Sequence, residues 1–394
     1  MDRIYMDNAA TTRVKDEVLS EMLPYFTEVY GNASSVHAFG REAKKAIEKA
    51  REQVAQAINA DKNEIFFTNG GTEADNWIVK GIAQAARKKG NHIITSAIEH
   101  HALLHTCQAL EREGFRVTYL PVDADGLVSP EALEAALTPD TILVSILFAN
   151  NEIGTIQPVA QLAEIAHAHG VPFHTDAVQA VGSVPIDVKA MGIDALSMAA
   201  HKFYGPKGVG ALYIRKGLKV ETFQQGGAQE RGRRGGTENV PGIVGMGKAI
   251  ELATANLDAH AARLIEMRDR LIDGILDRIP ETRLNGHRTQ RLPGNVNVSV
   301  RYIEGEALLL SLDLAGIAAS SGSACTSGSL DPSHVLLGIG LPHEIAHGSL
   351  RLSLGDFNTD EEIDVVLKKL PEIVTRLRNM SPLFNQFKGG EVLV

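Results

Sequence analysis

The chain is short of several things that would settle its class at once. It has two cysteines in 394 residues, Cys107 and Cys325. That is too few for a disulfide framework or for a zinc or iron–sulfur site built on thiolates alone. It lacks a surplus of positive charge, with 39 Lys and Arg against 48 Asp and Glu and a formal charge of −9. A phosphate backbone calls for a basic face, so nucleic acid is not expected as a general partner. No run approaches the roughly 20 apolar residues of a membrane span. The opening "MDRIYMDNAATTRV" lacks the charged-then-apolar layout of an export signal. Internal repeats and low-complexity tracts are also missing. A cytoplasmic globular protein with no membrane partner is expected.

What is present is an alternation. "EIFFT", "HIITS", "RVTYLPV", "TILVSILF", "VPFHTDA", "ALSMA" and "VGALYI" are strand-like, and amphipathic or helix-opening segments separate most of them. That order predicts an α/β fold with a mostly parallel sheet covered by helices. The pattern changes after about residue 250, where "LDAHAARLIEMRDRLIDGILDRI" reads as one long amphipathic helix. A smaller α+β domain is expected beyond it, formed by residues 1–13 and 256–394 around a large domain of 14–255.

Three strand ends could carry chemistry. In "FFTNGGTEADNW" two glycines precede a helix opening at Thr72, and Thr72 with Asp75 fits a capping box. The exposed N–H groups of such a terminus attract an anion, though an ordinary strand–turn–helix reads the same way. "VPFHTDAVQAVG" ends a strand in Asp176, with Gln179 shortly after. An acid there can hold a protonated ring nitrogen or simply cap the next helix. In "ALSMAAHKFYGPKGVG", Lys202 follows another strand, 202 − 176 = 26 residues past the acid. A buried lysine can form a Schiff base; a solvated loop lysine is the plainer alternative. Anion site, acid and lysine come in the order that pyridoxal phosphate requires. The loop "SSGSACTSGS" sets Cys325 among small residues, where a thiol could travel, whereas Cys107 sits in an apolar helical pattern and reads as core. "HEIAH" (343–347) matches a zinc-protease spacing, but Pro342 and Gly348 bracket it, and no third histidine follows.

"YMDNAATT", "YGNASSVHAFG", "GGTEADN", "ANNEIGT", "HTDAVQAVG", "AHKFYGPKGVG", "ERGRRGGTENV" and "SSGSACTSGSLDPSHV" together resemble the cysteine desulfurases of the NifS/IscS type, over nearly the whole chain and in order. The resemblance implies a pyridoxal-phosphate homodimer of fold type I. It would take sulfur from L-cysteine, release alanine and leave a persulfide on Cys325 for an acceptor such as an iron–sulfur scaffold protein. It also implies roles. Lys202 would carry the cofactor, Asp176 would face its ring nitrogen and Gln179 its phenolate oxygen. His100 would stack on the ring and help move protons. Gly71, Thr72 and His201 would hold the phosphate, and Thr237 would reach the phosphate of the other subunit. Asn151, Arg351 and Asn32 would bind substrate. Relatives often have Ser two residues before His201; here it is Ala199. No resident metal is implied. A selenocysteine lyase or another class V enzyme is the alternative.

Overall fold

The computed structural model describes residues 3–321 and 332–388. Its centre is a seven-stranded sheet in the order Ile65–Thr68, Gly210–Ile214, Ala195–Ala199, Phe173–Asp176, Thr141–Ser145, His92–Ser96, Arg116–Leu120. Gly210–Ile214 runs antiparallel to both neighbours, and the remaining pairings are parallel. Every residue of the six strands from Ile65–Thr68 to His92–Ser96 is buried, as a sheet covered on both faces requires. The edge strand Arg116–Leu120 is partly exposed and begins with a charge, which discourages further pairing.

A second sheet is antiparallel, with Ser349–Ser353, Asn295–Val300 and Thr282–Leu284 in that order. Its core joins the long helices Leu257–Arg278 and Asp360–Met380 to Ile4 and Met6 from the chain's start. The expected long helix is present, separated by Asn256 from a preceding helix Val240–Ala255. Asp360–Met380 opens on a capping box of Thr359 and Glu362.

The first residues lace the two sheets together. Ile4–Tyr5 pairs with Ile317–Ala318. The Ser353 N–H donates to the Met6 carbonyl at 2.7 Å, and the Thr12 N–H donates to the His201 carbonyl at 3.0 Å. This strap passes beside the carboxyl ends of the parallel strands, where α/β folds place their ligands.

Candidate active site

A cavity of about 370 Å³ opens at those strand ends. It brings together Gly71, Thr72, His100, Asn151, Asp176, Gln179, Ala199, His201, Lys202 and Arg351, ten of the residues singled out in the sequence. Asn32 and Thr237 are exposed and lie outside it within this one chain. Cys325 falls outside the described residues. Cys107 is fully buried as expected, and burial pushes its thiol up to about 12.

The floor is acidic. Asp176 ends its strand 8% exposed and accepts the Val178 N–H at 2.9 Å. Burial raises its pKa, while His100 and Lys202 pull it down. Lys202 follows the next strand, and its Nζ donates to the carbonyls of Ala9 and of Ala10, the latter at 2.9 Å. The strap residues thus aim the amine. Gln179 donates Nε2–H to the same Ala9 carbonyl at 2.9 Å. His201 bonds the Thr11 hydroxyl through Nδ1 at 3.2 Å, and its pKa is pushed down to about 4 by burial and by Lys202 and Lys207. His100 caps the helix His101–Arg112, its Nδ1 accepting the Ala102 N–H at 3.2 Å.

The anion end departs from the sequence reading in one respect. The helix runs Gly71–Ala86, its N-cap is Gly70, and no side chain caps it. Thr72 and Asp75 therefore form no capping box. The helix starts one residue earlier and turns Asp75 inward, 1% exposed, towards Asp176. Uncapped N–H groups remain at the cavity edge, where the helix dipole favours negative charge. A Cβ added at Gly71 would stand 2.5 Å from Val178 Cγ2 and narrow the cradle.

The second sheet supplies Arg351, 2% exposed. It donates to the Asn151 carbonyl and to Asp7 Oδ1, each at 3.1 Å. Its buried Nε has no hydrogen-bond partner among the described residues, so a donor remains for a ligand carboxylate. Anion-binding cradle, acid, amine and guanidinium suit pyridoxal phosphate bearing an amino acid.

Sequence reasoning missed two acids, Glu99 and Glu152, and misread a third, taking Asp75 for half of a capping box. Asp75, Glu99 and Glu152 are all buried. Burial raises Asp75 well above the usual carboxylate range, with Asp176 adding to it. Burial also takes Glu99 to about 8 and Glu152 to about 7. The four-residue spacing of Gly71 and Asp75 on one helix face was the available signal. Glu99 and Glu152 left none. "HEIAH" forms a five-residue helix, His343–His347, and is not among the metal-ligand groups found in the described residues.

These strand ends and this lysine are the arrangement of a known class. The chain matches the aminotransferase class-V family over residues 4–366 and belongs to it. Members of that family are pyridoxal-phosphate enzymes of fold type I. Within the class, the chain is 63% identical over 380 residues to a cysteine desulfurase IscS of Methanosarcina thermophila, covering 96% of this chain and 94% of the relative. It is 54% identical over 385 residues to one of Dictyoglomus turgidum, covering 98% of each. Among solved structures it resembles a NifS-like protein at 43% identity and a TM-score of 0.90, over 95% of this chain and 100% of the other. It also resembles SspA in complex with cysteine, at 37% identity and a TM-score of 0.81, over 90% and 100%.

Proposed function

We propose that the chain is a cytoplasmic homodimeric cysteine desulfurase. L-Cysteine and the thiol of Cys325 become L-alanine and a Cys325 persulfide, which is handed to an acceptor such as an iron–sulfur scaffold protein. The observation that carries this reading is the convergence of Lys202, Asp176 and Arg351 on one cavity, from two sheets. Full-length relatives named cysteine desulfurases support it.

Bound pyridoxal phosphate supplies an electron sink that loosens the bond from Cβ to sulfur. The chain's residues do the rest. Arg351 and Asn151 seat the substrate carboxylate, with Arg351 Nε as the uncommitted donor. Asp176 would hold the cofactor's ring nitrogen in its protonated form. Gln179 would donate to the phenolate oxygen. Gly71, Thr72 and His201 would receive the phosphate, with Thr237 supplied to the phosphate of a second subunit. Lys202 would hold the cofactor and then move the proton at the substrate Cα, and His100 would serve the thiol proton. The Cys325 thiolate attacks the substrate sulfur. The Cβ–S bond breaks, an S–S bond forms, and Cβ takes a proton.

Incubation with L-cysteine tests this, with alanine and sulfide measured under a thiol reductant. Equimolar products are expected, and Cys325→Ala keeps the bound chromophore but loses both. Undiminished turnover in that variant would point to a class V enzyme that needs no loop thiol. A colourless protein to which borohydride fixes no cofactor would end the proposal.

A further inference from the structure

Asp75, His100 and Asp176 lie together on the cavity floor and line it. One ligand atom from each stands within 4.8 Å of the other two, the only such trio of His, Cys, Asp or Glu found among the described residues. A second, independent feature sets it apart. Asp75 is 1% exposed, and its Oδ1 has no hydrogen-bond partner among the described residues. One basic group, His174 Nε2, is 3.8 Å away and is engaged with the Ser197 hydroxyl at 3.0 Å. The other nitrogen of that ring bonds Ser145 at 2.8 Å. Two buried carboxyls side by side want a cation or a proton, since an uncompensated buried charge is costly.

On the function proposed above, the cofactor's ring nitrogen would supply positive charge to Asp176 in the loaded enzyme. Every newly made chain first passes through a state without it. We propose that the cofactor-free chain binds one divalent first-row transition-metal ion on Asp75, His100 and Asp176, and that this ion and pyridoxal phosphate exclude one another. Two carboxylates and one imidazole are a donor set that suits zinc or iron(II). Ligand atoms about 2.1 Å from a metal stand roughly 3–3.5 Å apart, so modest side-chain rotations draw the trio in. The backbone holds each donor in place: Asp75 on the first turns of a helix, His100 at the cap of another, Asp176 at a strand end. The Nδ1 of His100 accepts the Ala102 N–H, which fixes the orientation of the ring beside the two carboxylates. Cofactor binding turns Asp176 to the ring nitrogen and fills the space, and the ion loses its site.

The test uses the full chain stripped of pyridoxal phosphate and dialysed against Zn²⁺. Wild type is expected to hold one more zinc ion per chain than Asp75→Asn, in which affinity at this site falls at least tenfold. Zinc is expected to slow cofactor uptake, followed by the bound chromophore, in wild type and not in Asp75→Asn. The cysteines are unchanged in both proteins, so zinc bound to thiols cancels. Circular dichroism checks that the variant folds; should it not, His100→Gln, which removes the imidazole alone, is expected to lose the same zinc. Equal zinc binding by wild type and a folded variant, or cofactor uptake by wild type that ignores zinc, overturns the proposal.

Discussion

Glu99 offers the sharpest handle on how burial shapes this protein. Its Oε1 accepts the Ser96 hydroxyl at 2.7 Å and the Leu147 N–H at 2.9 Å, and its Oε2 has no partner among the described residues. Burial lifts its pKa from 4.5 to about 8. In the unfolded chain the group loses its proton near pH 4.5, while in the folded protein it keeps it to about pH 8. Between those values the folded state binds one proton more than the unfolded state. The associated stability is complete below pH 4.5 and drains away as pH rises towards 8, at about 1.4 kcal/mol per pH unit. Glu99→Gln removes the titration and keeps both hydrogen bonds to Oε1. The variant should match wild type near pH 5 and outlast it increasingly at higher pH. From pH 5.5 to 7.5 the gap should open by about 3 kcal/mol, or roughly 3–4 °C in Tm for a chain of this length. Thermal unfolding of the two cofactor-loaded proteins, at one scan rate across that pH range, measures it. Parallel curves would refute the account, because they would mean that Glu99 is already ionised in the folded protein.

Two further outcomes are expected. Arg51 and Glu230 form a buried two-pronged ion pair at 2.8 and 2.9 Å, with each side chain 3% exposed. Arg51→Ala strands the carboxylate and should cost about 3–5 kcal/mol in urea unfolding, a loss under 1 kcal/mol contradicting the pairing. Arg351→Lys keeps the charge but gives up the fork that reaches Asn151, Asp7 and a ligand. It should raise KM for L-cysteine about 10- to 100-fold while leaving the cofactor spectrum intact, and an unchanged KM would remove Arg351 from substrate binding.

Much of the site was readable because its parts sit at strand ends that composition marks. Asp176 and Lys202 each follow a run of β-rich, buried residues and precede a turn, and the fold puts such positions on one rim. Thr72 and Asp75 show where local reading fails. Their spacing is that of a capping box, and at Thr359 and Glu362 the same kind of pattern does form one. Glu362 is at a partly exposed terminus and can turn back to the N-cap. Asp75 is on a helix whose inward face the sheet covers, and tertiary burial outweighs the local hydrogen bond. Glu99 and Glu152 were invisible for a related reason. Besides Ser96 beside Glu99, their partners are Leu147 and Ser333, 48 and 181 residues away, and no short-range pattern records such contacts.

The strap at the chain's start has a consequence for manufacture. Asp7 forms a bridge with Ser353 and an ion pair with Arg351, and the Tyr5 carbonyl accepts the amide of Asn358. Residues 5–7 thus wait for partners that are made at least 344 positions later. A polypeptide halted before position 349 already owns its lysine and its acid floor, yet has neither the guanidinium nor the late strand to which the strap ties. The arginine proposed to grip an amino-acid carboxylate is therefore the last of the residues lining this cavity to be made.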